Sequence, residues 1–187
     1  MRTVNTQGGA MFDTGRKPQW LGAAALLAAM PVMAETPEEF ELAGRITGLL
    51  AGEEREWHIL RQGTDSHATF TDQGEHYTID LTGFVEPDRI EHLDSLSLSI
   101  TLVDGEVTAL DVLHPIGTSP MPPVFTSDGG DVRLELKAFS VEGTVARVAG
   151  RLEGSLALQK SLEDAPTLDE GIDISVAFDA EASRIEY

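Results

Sequence analysis

Five histidines, at positions 58, 67, 76, 92 and 114, fall in one stretch of a 187-residue chain that has no cysteine. Imidazole changes charge near neutral pH and is the commonest metal ligand, so chemistry is sought there first. With four-residue hairpin loops at 62–65 and 72–75, the chain from 55 to 84 forms a three-strand meander. Trp57 then lies opposite Phe70, and His67 opposite both Leu60 and Asp80. His58 becomes a diagonal neighbour of His67 on the outer face. Two imidazoles and a carboxylate suit Zn²⁺ or another divalent ion, which makes His58, His67 and Asp80 a candidate metal set. His76 shares their face but lies too far along the strand from Asp80 to join them. The plainer reading is a solvated face whose histidines titrate freely, because no His-Glu-x-x-His motif occurs.

Calcium is the second candidate ion. Asp128-Gly-Gly-Asp131 and Asp169-Glu-Gly-Ile-Asp173 place carboxylates around glycines, and Ca²⁺ takes six to eight oxygens from flexible turns. Neither segment has EF-hand spacing, and an acidic chain produces such clusters by chance. Nucleophilic catalysis has little support: Gly-x-Ser-x-Gly is absent, and Ser119 near His114 is proximity in sequence rather than a triad. No phosphate-cradling loop is present. In the proline-rich stretch 115–131, the run Met121-Pro-Pro-Val-Phe125 offers Met121, Val124 and Phe125 to a partner groove or ligand mouth. The alternative is that Val124 and Phe125 fold back as a lid or edge strand.

The elements that must carry these residues alternate with period two, the mark of half-buried strands. Leu96-Ser-Leu-Ser-Ile-Thr-Leu102 puts four aliphatic residues on one face. Asp104-Gly105 follows as a hairpin turn, and 107–113 returns. Residues 132–138 alternate apolar with charged, and 172–178 do the same. In the 55–84 meander one face carries Trp57, Ile59, Ala68, Phe70, Tyr77, Ile79 and Leu81. The other carries the histidines, threonines and Asp80, with Leu60 as its one apolar member. A slip of one residue would mix the sets. No helical periodicity lasts three turns after residue 35; at most one helical turn is expected near 87–93. Residues 115–131 and 159–171 read as loops.

Arg16 and Lys17 precede a short apolar run from Trp20 to Ala34, interrupted by Pro31, with small residues at Val32 and Ala34. This is the pattern of a secretory signal peptide, cleaved after Ala34. A spanning helix needs roughly 20 apolar residues, more than this run supplies, so no stable membrane insertion is expected after cleavage. The expected mature chain, 35–187, is one domain exported to the periplasm or the exterior. Removing Arg2, Arg16, Lys17 and Asp13 takes the chain from 13 basic and 32 acidic residues to 10 and 31, a net charge of −21. Nucleic acid and anionic membrane surfaces are poor partners for such a chain. Without cysteines the fold depends on its hydrophobic core, and thiol chemistry is excluded.

Leu42-Ala-Gly-Arg-Ile-Thr-Gly-Leu-Leu50 echoes Val148-Ala-Gly-Arg-Leu-Glu-Gly-Ser-Leu156. Either the two halves are related, or two strands meet the same demand for glycine where a side chain is excluded. Gly44-x-Ile-x-Gly48, Trp57-His-Ile-Leu60, Ser66-His-Ala68, Gly150-x-Leu-x-Gly154-x-Leu156 and Ile174-x-Val-x-Phe-Asp-Ala180 together resemble small exported bacterial β-proteins of uncharacterised function. The resemblance implies a sandwich-like domain and carries over no catalytic residue. The expectation is an all-β, antiparallel β-sandwich of about nine strands, with a closed or flattened barrel as the alternative. Functionally the chain reads as a non-catalytic envelope protein, a binding or structural module engaging an envelope or extracellular partner, glycan or ion. A lipocalin-like carrier and a metal-dependent hydrolase are the alternatives.

Overall fold

The computed structural model describes residues 39–185, and every regular element among them is a β-strand. The segment read as a signal peptide, 1–34, lies outside the described residues. Ten strands follow in order: β1 (Glu41–Leu50), β2 (Glu53–Gln62), β3 (Asp65–Ser66), β4 (Ala68–Asp72), β5 (His76–Phe84), β6 (Leu96–Val103), β7 (Glu106–Pro115), β8 (Val124–Glu142), β9 (Val145–Gln159) and β10 (Thr167–Arg184). Alternation accounts for them. In β6 every second residue from Leu96 to Leu102 is buried and every intervening one is half-buried. The connection 85–95 forms turns without a helix. The β6–β7 hairpin closes at Asp104 and Gly105, both with positive φ, 54° and 81°, as a type I′ turn requires.

Two antiparallel layers result. One runs β3-β2-β1-β10-β9-β8, the other β4-β5-β6-β7. They are stitched at three corners. Strand β2 meets β5 at His58↔Phe84 and Ile59↔Gly83. Strand β7 meets β8 only from Leu113↔Thr126 to Pro115↔Val124. Strand β10 runs parallel to β4 at Ser183↔Thr69 and Arg184↔Phe70. The molecule is therefore an antiparallel sandwich whose edges touch, or equivalently a flattened barrel. Between the layers lie Ile46, Trp57, Ile59, Ile174, Val176 and Leu152 from the first, and Phe70, Ile79, Leu81, Leu98, Ile100 and Val112 from the second, all buried. Trp57 and Phe70, placed on the core side by alternation, are 1% and 0% exposed.

The third corner carries a polar latch. Arg184 reaches Asp72 at 2.6 Å, and its guanidinium lies 5.5 Å from the centre of the Phe70 ring. Both charged side chains are mostly shielded, at 31% and 22% exposure. The Ile185 amide donates to the Phe70 carbonyl just beyond.

The echoed glycine motifs acquire a physical reason. Strands β1 and β9 flank β10 on its two sides. Gly48 and Gly154, equivalent positions in the two motifs, have φ of +150° and +144°. A Cβ would lie 2.2 Å from the Ser175 carbonyl oxygen at Gly48 and 2.0 Å from that of Asp131 at Gly154. Each motif thus sits where a neighbouring backbone comes too close for a side chain. This supports the shared-demand reading of the echo.

Two expectations of local geometry are corrected. The turn after β4 is shorter than supposed. The Asp72 side chain accepts the Gly74 amide at 3.0 Å, and the Gln73 amide donates to the His76 carbonyl at 2.9 Å. Asp72 therefore pairs with Tyr77, and Asp80 lies opposite Thr69, two residues away from His67. The shift is even, so both faces keep their members. The register between β2 and the following segment matches the expectation at Arg61↔Ser66 and at the bond from the His67 amide to the Leu60 carbonyl. Pairing then stops. Ser66 Oγ accepts the Ala68 amide and donates to the Ala68 carbonyl, a local bond that breaks the strand at His67. Strand β4 keeps β5 as its partner but leaves β2, and Trp57 faces Ile46 on β1 instead of Phe70.

The second correction concerns the stretches read as loops. The connection after β7 ends at Pro123, and 124–131 already belong to β8. Asp128-Gly-Gly-Asp131 is a bulge in that strand, where the register shifts between Thr126 and Asp131. The end of 159–171 is likewise the start of β10, bulged between Thr167 and Ile172. Glycines that mark a loop in isolation here mark a bend in a long strand.

Candidate functional site

Three of the five histidines surround Phe84 at the β2–β5 corner. His58 is its cross-strand partner. The His67 ring meets Phe84 edge-on at 4.7 Å between centroids, and His92, from the connection 85–95, meets it at 5.9 Å. Phe84 and Leu60 are fully buried although they lie on the outer face of their strands. Burial, and then the neighbouring His92, hold the His67 pKa below the usual histidine range, against the pull of Asp65. His58 Nδ1 is buried without a hydrogen-bond partner among the described residues. Alternation located His58 and His67 on one face. It gave no sign of Phe84 or His92, because the corner joins strands that are distant in sequence.

The third member of the expected metal set stands apart. Asp80 is exposed and accepts a hydrogen bond from the Ser99 hydroxyl at 2.7 Å, on the strand beyond. Asp128 and Asp131 lie in the β8 bulge. Asp131 is opposite Ser155, whose hydroxyl donates to Asp173 at 2.6 Å. No group of three or more histidines and carboxylates is placed to hold a metal among the described residues.

His114 has a structural setting. It is 7% exposed, its ring stacks on Phe125 at 6.2 Å, and its Nδ1 lies 2.8 Å from the Ser95 carbonyl. A carbonyl only accepts, so Nδ1 carries the proton in the neutral ring. Trp57 Nε1 donates to the adjacent Asp94 carbonyl at 2.7 Å, so two strands pin the end of the 85–95 connection. Burial lowers the His114 pKa, followed by an opposing hydrogen bond to Ser95, opposing attraction from Asp94, and reinforcing repulsion from Arg55. A base whose folded pKa is depressed contributes full stability above its ordinary value of 6.5, and loses it as pH falls through the folded value. The melting-temperature advantage of wild type over His114→Gln should therefore be larger at pH 8 than at pH 5. An advantage independent of pH would show that His114 does not titrate differently on unfolding.

The proposed partner residues separate. Met121 is 51% exposed at the tip of the proline loop, whereas Val124 is 1% exposed. Phe125 packs half-buried against the core and His114. In this conformation only Met121 faces outward.

The least satisfied backbone lies elsewhere. Strands β7 and β8 pair from Leu113↔Thr126 to Pro115↔Val124 and then part. Ser127 marks the split: its hydroxyl accepts the Val112 amide at 2.8 Å and lies 3.5 Å from the Leu110 carbonyl. From there to Glu142, β8 pairs with β9 on one side, and no strand pairs with its other edge among the described residues. Val132, Leu134, Leu136, Phe139 and Val141 turn toward the core but remain only half-buried. The sequence displayed this strand as apolar–charged alternation. That its hydrogen-bonding edge is unpaired could not be read there, since backbone donors are the same for every residue.

Fold and surface together define an all-β antiparallel sandwich or flattened barrel in which β8 carries a long open edge among the described residues. Compared with protein-family models, with curated proteins and with solved structures, the chain gives no match.

Proposed function

We propose that this protein is an exported, non-catalytic binding or structural module of the cell envelope, acting through the outside of its sheet. The observation that supports it most is the open edge of β8. A strand with free amides and carbonyls beside half-buried aliphatic side chains is the feature by which β-proteins recruit another chain. The residues suited to catalysis are dispersed: Asp80 bonds Ser99, His114 bonds the Ser95 carbonyl, and His67 packs on Phe84. The interior favours a module over a carrier of hydrophobic molecules, because Ile46, Ile59, Ile79, Ile100 and Leu152 are all 0% exposed within the core cluster. Export rests on the basic, apolar, small-residue pattern ending at Ala34 and on the resemblance to small exported bacterial β-proteins.

Native mass spectrometry of the protein taken from its own periplasm tests the reading. The expected result is a chain beginning at Glu35, carrying no small molecule, in a protein complex. A co-purifying lipid or other hydrophobic molecule would replace the module with the carrier, and an uncleaved cytoplasmic chain would end the envelope assignment.

A further inference from the structure

The charges along the open edge do not merely protect it; they are arranged to match themselves. Strand β8 turns Asp131, Arg133, Glu135 and Lys137 outward, all exposed, with signs alternating minus, plus, minus, plus. Lys137 lies outward by the same alternation, and the bulge between Leu136 and Ala138 changes the phase only beyond it, where Ala138 is also exposed and Phe139 turns inward. When two copies of one strand pair antiparallel about a two-fold axis, residues equally distant from the axis face each other. With the axis at Leu134, Asp131 faces Lys137 of the second copy and Arg133 faces Glu135, each contact occurring twice. With the axis one residue away, at Arg133 or Glu135, like charges meet. Cross-strand pairs of opposite charge stabilise a sheet, and like charges directly opposite destabilise it.

We propose that β8 is a self-pairing edge: two copies of this chain join β8 to β8 antiparallel, with the two-fold at Leu134. This rests on the module reading and names its partner as a second copy of the chain. The pairing would satisfy backbone groups left open beyond Ser127. It also sets Val132 beside the second copy's Leu136 and Leu134 beside its own equivalent, extending the half-exposed aliphatic row across the join. The side chains are free to rearrange. Arg133 contacts Asp131 at 3.8 Å and Lys137 contacts Glu135, in both cases along the strand and well exposed. The high negative charge opposes association at long range, which makes the local matching of signs the selective element.

The test is a mixing experiment on the full chain, read by sedimentation equilibrium. Wild type should be dimeric in the micromolar range. Arg133→Glu places a glutamate against Glu135 of the second copy, and Glu135→Arg places an arginine against Arg133. Each alone should weaken the dimer by roughly tenfold, because two symmetry-related attractions become repulsions. An equimolar mixture of the two variants restores opposite charges at both contacts and should recover near-wild-type association as a heterodimer. Both sites are exposed, so the melting temperature of each variant verifies the fold. High salt should narrow the differences.

A wild-type chain that is monomeric throughout that range overturns the proposal, as does a dimer indifferent to both reversals. Weakened single variants that stay monomeric when mixed would also reject the Leu134 register. If wild type is monomeric but a different protein protects the β8 amides from hydrogen exchange in the native complex, self-pairing fails and the module reading stands.

Discussion

Trp57→Ala is expected to lower the unfolding free energy by about 4 kcal/mol, the typical loss when a fully buried tryptophan is truncated. Trp57 is 1% exposed and faces Ile46 on the neighbouring strand β1. Gly83 is shaped to receive it: a Cβ there would come within 2.7 Å of the Trp57 Cβ. The indole does a second job, since Nε1 holds the Asp94 carbonyl and with it the end of the 85–95 connection. Domain stabilities run to about 5–15 kcal/mol, so this one truncation removes a large share. Trp57→Phe separates the two contributions. It keeps most of the packing and forfeits the hydrogen bond, worth about 1 kcal/mol. Urea unfolding followed by far-ultraviolet circular dichroism measures both. If alanine costs no more than phenylalanine, Trp57 is not packed as described.

Gly154→Ala is expected to cost about 3 kcal/mol, combining backbone strain and overpacking of roughly 1–3 kcal/mol each. The new methyl would sit 2.0 Å from the Asp131 carbonyl oxygen and 2.8 Å from the Val132 Cα, so β8 must move away from β9. The backbone at φ +144° adds a conformation that a side chain resists. Gly117→Ala is the control, because a Cβ there meets nothing within 4 Å. Thermal and urea unfolding should place Gly154→Ala far below wild type and Gly117→Ala close to it. Equal stability of the two would mean that β8 and β9 do not approach as closely as the structure shows.

The two substitutions differ in how far the sequence announced them. Trp57 was placed on the core side by alternation alone, together with Ile59, Ala68, Phe70, Tyr77, Ile79 and Leu81; all are buried except Tyr77, which packs half-buried against the core. The echo Ala-Gly-Arg-apolar-x-Gly drew attention to Gly48 and Gly154. What it could not supply was the strand they press against, which is β10 for one and β8 for the other. The histidine face was legible in the same partial way. His58 and His67 do share a corner, but their aromatic centre Phe84 and their neighbour His92 arrive from another part of the chain. Asp80 was displaced from the set by a turn two residues tighter than supposed.

By itself the sequence determined which side chains face the core, where most strands run, that Asp104-Gly105 closes a hairpin, and that glycine is needed at two equivalent places. These are local matters: pleating repeats every two residues, and positive φ is a property of a single backbone unit. Tertiary structure alone decided which edges meet. It separated β4 from β2, ran β10 parallel to β4 under the Arg184–Asp72 latch, and left β8 open beyond Ser127. Alternation is unchanged by a shift of two residues, and main-chain hydrogen bonds carry no side-chain signature. Register and partner choice were therefore settled only when the two layers packed against each other.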